Sequence, residues 1–301
     1  MRTRTLLAAA VGISIAATAV IPSATAQVIA PVSVVPAAVV NHIPPVIGGT
    51  VWHPSNVRVK GRHVVYHTLI KNGAVALMWI DASLLKFRLI PGPMEPEGSP
   101  MRAIDRRPST WVPHMAAAFN GGFRLGDGVG GYFYNGTTVQ RMRNGYAALV
   151  VTKTGQLKVQ VWGRDLKTTA GAMSIRQNLP PLVWKGKAMT KATDNEATWG
   201  EADKGLWKAI RSAAGVLADG SVVYAYGYNV KPSVMAAAMV AAHVQTAVML
   251  DMNQSWPMGF FYNSPVRSNP PVGHRVHPGV YREPDSYYDQ FKKDFVVALT
   301  P

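Results

Sequence analysis

The chain has 301 residues, with 31 Lys and Arg against 16 Asp and Glu for a formal charge of +15, and it contains no cysteine. This excludes disulfides, a thiol nucleophile and a thiolate metal site, and it favours anionic partners. The basic residues are scattered in small clusters, Arg106-Arg107, Arg141 with Arg143, and Lys292-Lys293, so charge alone does not specify a polymer.

Arg2 and Arg4 precede an apolar stretch from Leu6 to Ile21 and the small-residue run Ser23-Ala24-Thr25-Ala26. That order predicts a secretory signal peptide over residues 1–26, cleaved near Ala26-Gln27, and a secreted, periplasmic or cell-envelope location. The rival reading, an uncleaved anchor, needs about 20 unbroken apolar residues, and Pro22 interrupts the run. Residues 27–50 are rich in Pro, Val and Ala and read as an extended linker, because each proline ring removes a backbone donor. Residues 51–301 are long enough for one large domain with a substantial core.

Within that domain, Val57 to Ile70 alternates in two stretches around Gly61, and Asn72-Gly73 turns the second into Ala74–Asp81. Leu84–Ile90 reads as a further strand, followed by a Pro/Gly-rich loop from Pro91 to Pro100. Met115–Phe119 is a buried strand that ends in the tight turn Asn120-Gly121-Gly122-Phe123. Tyr132–Tyr134 and Thr137–Met142 flank Asn135-Gly136 as a hairpin, and Tyr146–Val151 and Leu157–Trp162 flank Lys153-Thr154-Gly155 likewise. A loop-rich stretch spans Arg176 to Leu206. Ser212–Leu217 and Val222–Tyr226 flank Asp219-Gly220, Pro232 opens a helix to His243, and Ala247–Leu250 is a short strand delivering Asp251. These elements predict a single α+β (mixed α/β) domain, mostly antiparallel or mixed sheet with a few flanking helices.

Two constellations carry chemistry. The paired glycines Gly121 and Gly122 let backbone N–H groups approach a ligand while Asn120 orients it; the alternative is a turn that simply needs glycine. Asp251, at the end of a buried strand, suits an acid or base whose pKa is raised by burial; the alternative is a carboxylate capping a turn. Gly126-Asp127-Gly128-Val129-Gly130-Gly131 matches G-x-G-x-x-G, but a strand and turn follow instead of the helix that would hold a pyrophosphate. The eight histidines have no metal-ligand spacing, no G-x-S-x-G elbow occurs, and no metal site or cofactor is expected, metal dependence being left open. Of the N-x-[ST] sequons at Asn135 and Asn253, the second would place a glycan on the candidate site.

In order, these pieces resemble the phosphodiester glycosidase family. The family's Asn-Gly-Gly-Phe turn corresponds to Asn120-Gly121-Gly122-Phe123. Its Arg-Ser/Thr-x-x-Gly strand and Asp-Gly hairpin correspond to Arg211-Ser212-Ala213-Ala214-Gly215 and Asp219-Gly220. Its Leu-Asp-Gly-Gly-Gly-Ser motif corresponds to Leu250-Asp251 and Ser255, with Met252, Asn253 and Gln254 in place of the three glycines. The resemblance runs from about Val57 to Val297.

The resemblance implies an exported hydrolase that splits the bond between a sugar's anomeric carbon and phosphate, acting on a phosphate-bearing glycan or glycoconjugate. Asp251, Arg211 and Asn120 are the implied catalytic residues, with Gly121, Gly122, Phe123, Ser255 and Asn253 binding substrate. A usual glycosidase needs two carboxylates; the candidates for the second are Glu196, Glu201 and Asp127. The rival function is a non-catalytic envelope-glycan-binding protein that keeps the fold. No nucleic acid is expected as partner, and peripheral contact with an anionic envelope surface is.

Overall fold

The computed structural model describes residues 42–95, 111–190, 196–199, 208–263, 271–288 and 291–301. The signal-peptide segment, most of the linker and Glu201 lie outside these residues.

Eight strands form the largest sheet, in the order His53–Pro54, Val65–Ile70, Val75–Ile80, Val222–Val230, Ala209–Val216, Thr246–Met252, Pro181–Trp184 and Lys187–Ala188. A second sheet orders Gly273–Arg275, Gly259–Tyr262, Met115–Asn120, Phe295–Leu299 and Lys86–Ile90. The third orders Leu157–Val161, Ala147–Thr152, Ala172–Gln177, Tyr132–Tyr134 and Thr137–Gln140. Within these three sheets the paired strands run antiparallel, and the parallel contact described is a single bridge between Trp162 and Leu166.

Turn chemistry explains much of this. Asn135 and Gly136 both have positive φ, 45° and 88°, and Tyr134 pairs directly with Thr137, the two-residue hairpin that Asn-Gly favours. The Asn72-Gly73 hairpin is wider: Ile70 pairs with Val75, and Lys71 joins Asn72 and Gly73 in the left-handed region.

The first two sheets bury each other. Every residue of Val75–Ile80 and of Met115–Asn120 is buried, as expected of strands covered on both faces. Phe119 stacks on Tyr224 at 5.1 Å and His67 on Phe261 at 4.2 Å, joining the sheets through aromatic faces.

The expected strands are present, but the helical part is smaller than the expected few flanking helices. Among the described residues the α-helices are Pro232–Ala241 and the four-residue Glu196–Trp199. Pro232 occupies the first turn, and the helix buries Met235, Ala236, Ala238 and Met239. The expected loop from Arg176 to Leu206 contains the strand Pro181–Trp184 and the short strand Lys187–Ala188. Pro181 is the first residue of its strand, a position where the missing N–H is tolerated. Among the described residues no helix is long and apolar enough to cross a membrane.

Candidate functional site

A cavity of about 400 Å³ opens where the three sheets meet. One wall is Asp251, Met252, Asn253 and Trp256 at the end of the strand Thr246–Met252. Phe123, Arg124, Asp127, Val129, Leu179 and Lys293 complete the lining.

A local irregularity positions Asp251. Along the neighbouring strand Ser212 pairs with Asp251 but Ala213 pairs with Met249, so the register slips by one residue. Such bulges re-aim side chains beside sites. Asp251 is 2 % exposed. Its Oδ1 accepts hydrogen bonds from the Met252 N–H (2.8 Å) and Asn253 Nδ2 (3.0 Å), and its Oδ2 accepts one from Lys293 Nζ (2.7 Å). Burial raises the carboxyl above its ordinary pKa, while Lys293 and the Met252 N–H pull it down.

Asn253 also organises the turn that follows. Its Oδ1 accepts from the N–H groups of Ser255 (2.8 Å) and Trp256 (2.7 Å), the Asx-turn pattern. Both ends of the Asn253 amide are thus engaged within the fold. Ser255 enters the site through its backbone and does not line the cavity.

The Asn120–Phe123 turn reaches the cavity at its last residue. Asn120 is buried and does not line the cavity; its Oδ1 accepts from Tyr224 OH and the Met258 N–H, both at 3.3 Å. Gly121 and Gly122 are required by close approach. A Cβ on Gly121 would stand 2.7 Å from Asp294 Cγ, and one on Gly122 would stand 2.0 Å from Asn178 Oδ1. That oxygen accepts the Phe123 N–H at 3.1 Å, and Asn178 Nδ2 donates to the Gly121 carbonyl at 3.2 Å. Phe123 is the member of the turn that reaches the cavity.

Arg211 lies elsewhere. It pairs with Met252 across the sheet while Ser212 pairs with Asp251, and successive side chains leave opposite faces of a strand. Its guanidinium donates to the carbonyls of Val230 (3.2 Å) and Trp199 (3.1 Å) and to the sulfurs of Met249 (3.4 Å) and Met252 (3.1 Å). It is buried and does not line the cavity, so the Arg211 expected beside Asp251 is replaced there by Lys293.

Of the three candidates for a second carboxylate, Asp127 lines the cavity with Asp251; its Oδ2 accepts the Arg124 N–H at 3.3 Å. Glu196 begins the short helix Glu196–Trp199.

The sequence reading did not single out Lys293, Trp256, Arg176 or Asn178 for the site. Lys293 stands over the Trp256 ring, its Nζ 5.2 Å from the ring centre. Behind the cavity, Arg176 Nε donates to Asp294 Oδ2 at 2.8 Å, and its other nitrogens donate to the carbonyls of Gln177 (3.0 Å) and Phe123. The signal available in the sequence was Lys293-Asp294 directly before Phe295–Leu299: two adjacent charges at the start of a wholly apolar run that becomes an inner strand. Among the described residues no three His, Asp or Glu side chains converge to hold a metal ion.

The family model NAGPA, phosphodiester glycosidase, matches residues 114–277, more than half of the chain. No curated protein matches. Among solved structures, the catalytic domain of zebrafish N-acetylglucosamine-1-phosphodiester alpha-N-acetylglucosaminidase, auto-inhibited by its pro-peptide, is 13% identical, with 86% of this chain and 91% of that one covered and a TM-score of 0.48. A Synechocystis protein is 11% identical, with 84% of this chain and 62% of that one covered and a TM-score of 0.40. The match over residues 114–277 spans the Asn-Gly-Gly-Phe turn and the strand that carries Asp251, and the chain belongs to the phosphodiester glycosidase family.

Proposed function

We propose that this protein hydrolyses a glycosyl phosphodiester in an exported, envelope or extracellular glycoconjugate. The observation that carries this reading is that Asp251, the carboxylate of the family motif, opens into a cavity beside a cation, Lys293, with a second carboxylate, Asp127, on the same lining.

In the reaction the bond between the anomeric carbon and the bridging phosphate oxygen breaks. Water supplies a hydroxyl to that carbon and a proton to the products, leaving a free sugar and a phosphomonoester. Lys293 meets the phosphate charge, and Asp251 acts as the acid or base at the anomeric carbon, its carboxyl held above its ordinary pKa by burial. Asp127 is the second carboxylate such cleavage ordinarily requires. Phe123 and Trp256 offer apolar faces to the sugar ring. The basic surface and the signal-peptide pattern both suit an anionic substrate outside the cytoplasm.

A second reading rests on one observation: both Asp251 oxygens are already engaged, by Met252, Asn253 and Lys293. A site kept in that state binds an envelope glycan without cleaving it. Incubating the purified protein with a glycosyl-phosphodiester substrate separates the two. Released sugar that disappears in Asp251→Asn supports the hydrolase; saturable binding with no release by either protein supports the binder.

A further inference from the structure

Two charged residues outside the cavity lining, Glu95 and Arg176, are bonded to the walls that carry its charges. The cavity-edge turn runs from Arg124 through the 3₁₀ segment Leu125–Asp127 to Gly128, and it presents Arg124 and Asp127 to the cavity. The Leu125 N–H donates to Glu95 Oε1, so the first residue of the 3₁₀ segment is held from behind by a carboxylate that is itself 3 % exposed.

The segment bearing Glu95 is packed on the other charged wall. The Met94 N–H donates to the Lys292 carbonyl at 2.9 Å, and Gly92 lies so close to Lys292 and Lys293 that a Cβ there would stand 2.6 Å from their backbone. Arg176 closes the arrangement. It binds Asp294, the residue after Lys293, donates to the Phe123 carbonyl next to the turn, and has Nη2 3.9 Å from Glu95. Burial pushes the Glu95 carboxyl above its ordinary pKa, against the pull of the Leu125 N–H and Arg176.

We propose that Glu95, braced by Arg176, is a positioning residue: it pins the Arg124–Gly128 turn so that Asp127 is held in the cavity that Asp251 and Lys293 also line. The consequence for turnover rests on the phosphodiester-glycosidase reading; the pinning itself does not. A carboxylate bound to a buried N–H holds that amide far more firmly than water does, and a turn released from it samples orientations in which Asp127 faces away from the substrate.

The test compares Glu95→Ala and Glu95→Gln in the full chain. Amide hydrogen exchange at neutral pH is expected to show the Leu125 N–H exchanging about ten-fold faster in Glu95→Ala, with Glu95→Gln restoring protection through its amide oxygen. The amides of Val296 and Val297, in an inner strand of the second sheet, are expected to stay protected in both. Leu125 protection unchanged in Glu95→Ala, or lost equally in Glu95→Gln, overturns the proposal. Should Glu95→Ala fail to fold, the comparison of Glu95→Gln with wild type decides: loss of Leu125 protection there overturns the pin, and its retention supports it.

On a glycosyl phosphodiester, Glu95→Ala is expected to lower kcat about ten-fold with KM nearly unchanged, and Glu95→Gln to keep the wild-type kcat. An unchanged kcat alongside accelerated exchange overturns the positioning role. If wild type itself shows no turnover, the glycosidase reading fails while the exchange comparison still decides the pin.

Discussion

Lys293 Nζ stands 2.7 Å from Asp251 Oδ2, and both side chains are almost fully buried. The two residues come from different sheets: Asp251 closes a strand of the eight-stranded sheet, and Lys293 leads into the strand Phe295–Leu299 of the second. Their pairing balances a charge in the cavity floor that burial would otherwise suppress.

Asp251→Asn should lower kcat about 10²- to 10⁴-fold, the usual contribution of a positioned acid or base, while leaving binding of the diester measurable. Release of free sugar under saturating substrate checks this; equal rates in the two proteins would remove Asp251 from the mechanism.

Removing the cation should cost stability as well as activity. Lys293→Met leaves Asp251 buried without its ion partner, a change that typically costs about 3–5 kcal/mol. Urea denaturation at neutral pH measures it, and a midpoint equal to wild type would mean that the pair contributes nothing to the fold.

The raised pKa of Asp251 has a definite sign. The folded state holds this proton more tightly than the unfolded chain does, so the contribution to stability is fully present below the unfolded value, about 4, and is lost as pH rises through the raised value. Asp251→Asn cannot lose that proton. It should therefore give up less stability than wild type as pH rises from about 4 through that raised value, read from urea midpoints along a pH series.

Gly122→Ala should disrupt the turn beneath the cavity. The new Cβ would meet Asn178 Oδ1 at 2.0 Å, and Asn178 cannot swing aside without losing its bonds to Phe123 and Gly121. Overpacking of this kind costs about 1–3 kcal/mol, visible as a lower melting temperature, and Phe123 should leave its place on the cavity wall. A variant as stable as wild type would show that the turn has room.

His67 offers a test away from the site. Burial, then the neighbouring His53 and His274, lower its pKa to about 4. Unfolded histidine binds its proton near pH 6.5, so stability should fall as pH drops from there towards 4, by at most about 2 kcal/mol once discounted for solvent at this half-buried ring. His67→Phe keeps the stack on Phe261 and should flatten that dependence in thermal melts. An unchanged slope would place the acid sensitivity elsewhere.

Much of the fold was legible in the chain because it rests on local chemistry. Asn135-Gly136 makes its hairpin since both residues tolerate positive φ, and Pro232 starts its helix where no donor is needed. The apolar run before Asp251 forecast a buried carboxylate, and the Asn120–Phe123 pattern forecast a tight turn after a buried strand. The missed strand at Pro181–Trp184 shows the limit of that logic: two adjacent prolines signal a break, yet the second begins a strand in the largest sheet.

The site itself depends on pairings that local pattern does not encode. Sequence named Arg211 and Asp251 together because both belong to one ordered set of motifs; strand register sends their side chains to opposite faces, and the one-residue slip between Ser212 and Ala213 belongs to the assembled sheet. Lys293 stood in the sequence among the charges Lys292-Lys293-Asp294 before an apolar run, and its partner lies 42 positions earlier in the chain. What the sequence determined by itself were the turns, the alternating strands and the chemical types available. Tertiary structure alone decided which charges meet, because buried ion pairs form between residues that packing brings together whatever their separation along the chain.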